Sequence, residues 1–272
     1  MKLSFSTLGC PDWSVAQIAR RAKEMGYAGI ELRTADDGNH LSPGATDAEV
    51  EGVAKTFAAE GVSIASVLGY ARFATLDRGE IEKNQALVRR SIAIARILKA
   101  PFIRAYAGQL PKGADAETVT RNIIEGLKPV ADEAAKAGVK IAIETHDDWC
   151  AGEKIMKVIS GVNSPGLGVL YDVFNAFLES REGWERTYSL IRKHILYCHM
   201  KDGYVKADGT HEYVYLGAGD MPLREMFARF KADGFAGYMS CEWEKKWIPE
   251  LDPPEKVFPH YIHKARRIWD SV

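Results

Sequence analysis

The chain of 272 residues lacks the features that mark secreted, membrane-spanning or nucleic-acid-binding proteins. Its four cysteines form no CxxC pair and no disulfide framework, which indicates reduced thiols and a cytoplasmic protein. No apolar run is long enough for a membrane span or a signal peptide. The formal net charge of −1 provides no general attraction to nucleic acid or anionic lipid. We therefore expect neither nucleic acid nor membrane as a partner.

Instead, strand-like and helix-like patterns of apolar residues alternate along the chain. Apolar residues make up 46% of it, enough for a substantial core. Short apolar runs predict strands, and the segments between them, with apolar residues at helical spacing, predict helices. Eight such strand–helix pairs follow one another without a change in composition. They predict an α/β fold, a (β/α)8 TIM barrel, as a single domain over residues 1–272, with a doubly wound open sheet as the structural alternative.

Local signals set the boundaries of these elements. Ser14 is a predicted N-cap, and Gly26, Gly61 and Gly138 are predicted helix stops. An Asp208-Gly209 turn signal predicts a small hairpin or lid after the seventh strand. The predicted strands are 3–8, 29–32, 62–68, 102–106, 140–144, 167–172, 195–199 and 238–242. The predicted helices are 14–25, 47–60, 83–99, 116–137, 152–159, 184–193, 222–231 and 254–269.

The last four predicted strands each end on a residue that can bind a divalent cation. These residues are Glu144, Asp172, His199 and Glu242. Because the carboxyl ends of parallel strands meet at the active-site face of a barrel, we expect the four side chains to converge. Three carboxylates and one imidazole suit Mn²⁺, Mg²⁺ or Co²⁺ better than a structural zinc. At any one position, an ordinary acid bonded to a helix N-terminus is the alternative.

Two polar residues lie just beyond these predicted ligands. His146 follows Glu144 by two positions, and Lys201 follows His199 in the same way. On a continuing strand, side chains two positions apart point in the same direction. His146 and Lys201 are therefore candidates for substrate binding, with a histidine packed in its loop as the alternative for His146.

Further candidates lie on neighbouring strands and loops. Arg104 ends the fourth strand and Glu31 the second, which predicts either substrate contact by Arg104 or a buried Arg104–Glu31 pair that braces the barrel. Asn175 and Asp202 are candidates for contacting the substrate or supporting the ligands. Aromatic walls commonly hold the apolar faces of sugars, although plain packing competes with that role. The aromatic candidates are Trp149, Trp243 and Trp247.

Five motifs resemble those of the xylose isomerase-like TIM barrels. They are Ile143-Glu144-Thr145-His146, Tyr171-Asp172-Val173-Phe174-Asn175, His199-Met200-Lys201-Asp202, Leu216-Gly217-Ala218-Gly219-Asp220 and Cys241-Glu242-Trp243-Glu244. That superfamily includes sugar and sugar-phosphate isomerases and epimerases, inosose dehydratases and endonuclease IV. The resemblance covers nearly the whole chain, and it is more specific for fold and metal site than for substrate.

The resemblance implies a metal-dependent isomerase or epimerase of a keto sugar or its phosphate. Glu144 and Glu242 are then the catalytic residues, which face each other across the substrate and move a proton through a metal-stabilised enediolate. One divalent ion is implied, with Mn²⁺ as first choice and Co²⁺, Mg²⁺ or Zn²⁺ as alternatives. Many barrels of this kind assemble, so a homodimer or homotetramer is also implied.

Three other functions stay open from the sequence. A dehydratase of a keto-inositol or related keto polyol starts with the same proton abstraction, and then a β-hydroxyl leaves. A phosphodiesterase like endonuclease IV needs several metals and many histidines, whereas only His146 and His199 lie at predicted strand ends. A barrel used only for binding is disfavoured by the complete ligand set.

Overall fold

Eight parallel strands close into a barrel in the structure, a computed structural model that describes residues 1–37, 40–179 and 183–272. Each barrel strand pairs with the next one along the chain, and the first pairs with the last, which confirms the predicted TIM barrel. The strands are β1 Lys2–Ser6, β2 Gly29–Arg33, β3 Ser63–Leu68, β4 Phe102–Tyr106, β5 Lys140–Glu144, β6 Leu167–Asp172, β7 Ile195–Met200, β8 Asp202–Val205, β9 His211–Val214 and β10 Tyr238–Cys241. Strands β8 and β9 form a separate antiparallel hairpin.

The helices of the described residues surround this barrel. They are α1 Val15–Met25, α2 Asp47–Glu60, α3 Arg78–Leu98, α4 Ala116–Lys136, α5 Gly152–Val162, α6 Val173–Glu179, α7 Trp184–Ile191, α8 Leu223–Ala232 and α9 Pro254–Ser271. Within these residues, no helix combines the length and apolar character needed to cross a bilayer. All four cysteines are buried and unpaired. The assignment of residues 1–272 to one domain stays a prediction.

Capping explains both the agreements and the differences with the predicted boundaries. Ser14 and Gln17 form a capping box at the start of α1, and Gly26 ends that helix in the left-handed conformation, as predicted. Helix α3 begins five residues earlier than predicted because the Asp77 side chain caps its first turn. Strand β1 ends at Ser6 rather than Leu8, because the Ser6 hydroxyl accepts the Leu8 N–H and starts a 3-10 turn.

Helix α6 was not predicted from the sequence. It follows β6 without a loop, and its first residues, Val173 and Phe174, are types that favour strands. The Asp172 carboxylate accepts the Asn175 N–H at 2.8 Å and so caps the new helix. A residue predicted as a metal ligand therefore also sets a helix start.

An apolar layer inside the barrel supports the ends of the strands. Ala142, Leu170 and Tyr197 belong to one buried cluster. Each stands two positions before a predicted ligand on the same strand, so both residues project from the same face. The Tyr197 hydroxyl donates to Ser66 at 3.0 Å and is thereby satisfied in the interior. The predicted ligands thus rest on a packed floor.

Candidate metal centre and substrate cavity

The four predicted ligands converge at the carboxyl-terminal face of the barrel. Each offers one ligand atom, and these atoms all lie within 4.8 Å of one another. His199 Nδ1 is 3.1 Å from Glu242 Oε2 and 3.4 Å from Glu144 Oε1. Asp172 Oδ2 lies 3.6 Å from the same nitrogen. All four residues are buried. The structure brings together the residues that the sequence singled out, whereas their binding of a metal stays a prediction.

The second ring nitrogen of His199 points to Glu31. His199 Nε2 lies 3.0 Å from Glu31 Oε2, and both side chains are fully buried. A carboxylate that accepts the N–H of one ring nitrogen fixes the orientation of the ring and leaves the other nitrogen to face a metal. Glu31 in the middle of β2 therefore aims Nδ1 of His199 into the carboxylate cluster.

Arg104 pairs with the two predicted catalytic glutamates, not with Glu31. Its Nη1 is 3.2 Å from Glu144 Oε2 and 3.4 Å from Glu242 Oε1. Each glutamate thus directs one oxygen to His199 and the other to Arg104. The guanidinium is itself held by Nε, which donates to the Gly69 carbonyl at 3.3 Å. Substrate contact and bracing, given as alternatives from the sequence, are compatible for Arg104, because it also lines the cavity described below.

Lys201 places a second buried cation in the cluster. Its Nζ lies 2.6 Å from Glu242 Oε2, 2.8 Å from Asp172 Oδ2 and 3.0 Å from Glu244 Oε1. Glu244 was not among the residues predicted for the site. It lies two positions beyond Glu242, the same spacing that identified Lys201 beside His199, so this signal was present in the sequence.

Opposing effects set the protonation of the cluster. Burial opposes the charge of Glu242, but His199 and Lys201 outweigh it and hold the pKa of this carboxyl well below its ordinary value. Burial and Glu242 oppose ionisation of Glu144, yet Arg104 and His199 together lower its pKa. Burial likewise raises the pKa of Glu244, which Lys201 only partly offsets. The two predicted catalytic glutamates are therefore ionised at neutral pH.

His199 shows the opposite balance. Burial disfavours its charged form, but the carboxylates around it, Glu242 foremost, raise its pKa well above the ordinary value. In the metal-free protein, the His199 ring is therefore protonated. Metal ligation requires neutral imidazole, so a cation that entered the cluster would replace a proton on His199.

The unsatisfied atoms of the cluster fit a divalent cation. Glu144 Oε1, Asp172 Oδ2 and His199 Nδ1 are buried without a directed hydrogen bond. Lys201 is near enough to Asp172 Oδ2 for an ion pair, but not in hydrogen-bonding geometry. Buried polar atoms without partners are costly. One cation among these oxygen-rich donors would satisfy all three atoms.

A cavity of about 370 Å³ opens above the cluster. Six residues predicted to contact substrate or metal line it, namely Arg104, His146, Asn175, Lys201, Glu242 and Trp247. Residues that sequence reasoning missed complete the walls, among them Tyr70, Arg72, Tyr106 and Tyr213. Most of these lie in loops or in the hairpin, where no period indicates which side chains face inward.

The three tryptophans predicted to contact a sugar differ in their position relative to the cavity. The Trp243 indole donates to the Asp252 carbonyl at 2.9 Å, and the residue is buried outside the cavity lining. Trp149 is also buried and outside it. Trp247 lines the cavity and is 52% exposed. The packing alternative therefore describes Trp243 and Trp149, and Trp247 is the tryptophan positioned to contact a ligand.

The hairpin predicted around Asp208-Gly209 is confirmed, and it reaches the cavity. His211 and Tyr213 on β9 line the wall, and the Tyr213 ring lies 5.7 Å from Lys201 Nζ. His146 also lines the cavity, and its Nδ1 is 3.0 Å from Asp147 Oδ2. Asp147 takes a positive φ of 51°, a conformation that is uncommon outside glycine but that aspartate adopts more readily than most residues.

Asp202 anchors the hairpin. Its buried carboxylate accepts four backbone N–H groups, from Gly203 at 2.9 Å, Gly217 at 2.8 Å, Gly219 at 3.1 Å and Met221 at 3.2 Å. A Cβ on Gly219 would lie 2.4 Å from Asp202 Oδ1, so the backbone can approach only with glycine there. The Gly217-Ala218-Gly219 segment is therefore a cradle for a carboxylate of the chain itself.

We expect Asp202→Asn to lower the free energy of unfolding by about 1–3 kcal/mol, because its NH2 group would face donors that need an acceptor. The hairpin should also become more sensitive to proteolysis. Thermal unfolding and timed trypsin digestion measure the two effects. Asp208→Asn, at the exposed tip of the same hairpin, is the matched control. Equal unfolding and digestion of the two variants would contradict this role for Asp202.

Comparisons with known proteins agree with the fold. The sequence model of the xylose isomerase-like TIM barrel family matches residues 19–265. Fructoselysine 3-epimerase from Shigella flexneri is 21% identical over 267 residues, which cover 92% of each chain. The crystal structure of the IolI protein with a bound zinc atom superposes with a TM-score of 0.84 at 17% identity, covering 100% of this chain and 99% of that one. The probable 3-DHS dehydratase AsbF from Bacillus anthracis gives 0.76 at 16% identity, covering 98% and 99%.

Proposed function

The chain belongs to the xylose isomerase-like TIM barrel family, and from that premise we propose that it is a metal-dependent epimerase or isomerase of a keto sugar. One observation carries the proposal. Glu144 and Glu242 are buried, ionised and placed so that each directs one oxygen to the ligand cluster and the other to Arg104. The similarity to fructoselysine 3-epimerase over nearly the whole length of both chains supports it.

The ligand set of this proposal is Glu144, Asp172, His199 and Glu242, and Mn²⁺ is the cation we propose first. A bound divalent cation supplies Lewis-acid charge to the carbonyl oxygen of the sugar and to a neighbouring hydroxyl. Glu31 holds the His199 ring in the orientation that ligation needs. A homodimer or homotetramer stays a prediction.

The protein's own groups perform the proton transfer. Glu242 lines the cavity as a carboxylate, so it can take a proton from the carbon beside the carbonyl. For epimerisation, Glu144 takes up one proton from water and delivers it to the opposite face of the same carbon, and Glu242 then releases its proton to water; delivery of the Glu242 proton to the neighbouring carbon gives isomerisation. Arg104 contacts both carboxylates, and its guanidinium also places positive charge beside the sugar as negative charge develops there. His146 and Lys201 are placed to bind sugar hydroxyls.

Dehydration of a keto polyol is the second candidate, and Glu244 favours it. This residue lines the cavity, its carboxylate accepts a hydrogen bond from Lys201, and burial raises its pKa above the ordinary value. A protonated carboxyl is what a leaving β-hydroxyl needs as its acid. The similarity to the structure of a probable dehydratase is consistent with this chemistry, and it shows the common fold alone. The cluster holds only one histidine among its four members, which disfavours the multi-metal phosphodiesterase.

Incubation of a ketose panel in D₂O tests the proposal. We expect deuterium to appear at the carbon beside the carbonyl together with a new epimer or aldose, both detected by NMR. Chelator-treated protein should lose this activity, and Mn²⁺ should restore it. A product lighter by one water would select the dehydratase instead. Deuterium-free sugars across the whole ketose panel, with metal present, would refute the epimerase or isomerase. Keto polyols that lose no water under the same conditions would refute the dehydratase.

A further inference from the structure

A second cavity adjoins the one above the cluster. It has a volume of about 420 Å³ and shares Tyr70 and Trp247 with the first. We call it the side compartment, and its apolar lining is formed by Ala35, Pro43, Tyr70, Leu87 and Trp247. Arg33, Asp36 and Asp37 also line the side compartment, but most of its lining surface is apolar. The lining surface of the central cavity is more polar than apolar. The two spaces therefore suit chemically different parts of one ligand.

The two shared aromatic rings are held in place by Arg33. Its guanidinium carbon lies 5.2 Å from the Tyr70 ring centre and 5.2 Å from that of Trp247. Its Nε donates to the Tyr70 hydroxyl at 2.6 Å, and Nη2 donates to Asp37 at 2.6 Å. The Tyr70 hydroxyl accepts this bond and keeps its own O–H as a donor, while the ring borders both cavities. The wall that the two cavities share is thus formed by aromatic rings of fixed position.

The opposite wall is also braced. Arg90 on α3 donates from Nε to the Pro43 carbonyl at 3.0 Å, and it also donates to the Ala45 carbonyl. These bonds tie the loop after β2 to α3, which carries Leu87. Leu87 and Trp247 are 44% and 52% exposed, two of the few large apolar side chains left so open among the described residues. Exposed apolar surface at a preformed site commonly marks a ligand contact.

We propose that the substrate is a keto sugar conjugate, with the sugar in the central cavity and an apolar or aromatic substituent in the side compartment. This inference rests on the proposed function and narrows its substrate class. The central cavity of about 370 Å³ is sufficient for a single sugar ring, so the adjoining space is left for a second group. That second group would cover Trp247 and Leu87, and burial of their apolar surface would add to the affinity.

Calorimetric titration with two probes tests the inference. Phenyl β-D-glucopyranoside and methyl β-D-glucopyranoside differ only in the substituent. We expect the phenyl compound to bind at least about tenfold more tightly, as burial of an additional aromatic group predicts. Trp247→Ala and Leu87→Asn should each reduce this ratio. Leu76→Asn changes another leucine, 55% exposed and outside both linings, and should keep it.

Several outcomes would overturn the inference. They are equal affinities for the two probes, no binding of the phenyl compound, or a ratio unchanged in both the Trp247→Ala and Leu87→Asn proteins. Each is separable from failure of the proposed function. A protein that exchanges deuterium into a free ketose but shows no phenyl preference refutes the conjugate alone. A protein with the phenyl preference but no exchange with any ketose refutes the proposed reaction alone.

Discussion

Replacing Glu242 by glutamine should lower turnover of the keto sugar by about 10²–10⁴-fold, the range that a positioned acid–base group contributes. Glutamine keeps the shape of the side chain but cannot take up the proton. The substitution also removes one of the carboxylate partners of Lys201, so the loss of turnover should not be smaller than this range. Steady-state rates from the NMR assay, measured beside the unchanged protein, provide the comparison.

The same experiment on Glu144 separates a base from a ligand. If each glutamate serves one face of the sugar, Glu144→Gln and Glu242→Gln should each retain slow deuterium exchange with a different epimer. Metal content, measured by mass spectrometry on both variants, shows whether a lost rate reflects a lost cation. Glu80→Gln, an exposed change on α3, is the matched control. Full epimerisation by a metal-loaded Glu242→Gln protein would contradict the assignment.

Lys201→Met should cost about 3–5 kcal/mol of folding free energy in chelator-treated protein, the usual effect of removing one partner from a buried ion pair. The three carboxylates of Asp172, Glu242 and Glu244 would lose the cation they share in an almost fully buried place. Denaturant unfolding followed by circular dichroism measures the loss. Divalent cations should restore part of it, because the cluster then regains positive charge.

Lys83→Met is the control for this change. Lys83 also forms an ion pair, with Glu80 at 2.6 Å, but both side chains are exposed. Exposed pairs contribute little to stability. We therefore expect the unfolding curve of Lys83→Met to match that of the unchanged protein. A Lys201→Met curve that also matched it would mean that the buried carboxylates are stabilised in another way.

Much of the barrel could be predicted because its signals are local. Strands 102–106, 140–144 and 167–172 and helix 47–60 were predicted to the residue, since apolar runs, glycine stops and capping residues lie within each element. The convergence of the four strand-end side chains followed from barrel geometry alone. Helix α6 escaped because its first residues favour strands and its cap is the last residue of β6.

The cavity walls were less predictable because they depend on contacts between distant parts of the chain. Nothing near Arg104 in sequence indicates that it would meet Glu144 and Glu242 rather than Glu31. Trp243 and Trp247 look equivalent in sequence, yet one packs inward and the other faces the cavity. Tertiary packing sets the direction of a loop side chain, and the loop sequence has no repeating pattern from which that direction could be predicted.

The Asp172 carboxylate couples the position of α6 to the ligand cluster. One of its oxygens starts α6, which carries Asn175 on the cavity wall, and the other belongs to the ligand cluster. A change at that carboxylate therefore affects the cavity wall as well as the ligand cluster. By thermodynamic reciprocity, a sugar that tightens cation binding is itself held more tightly by the same factor once the cation is present.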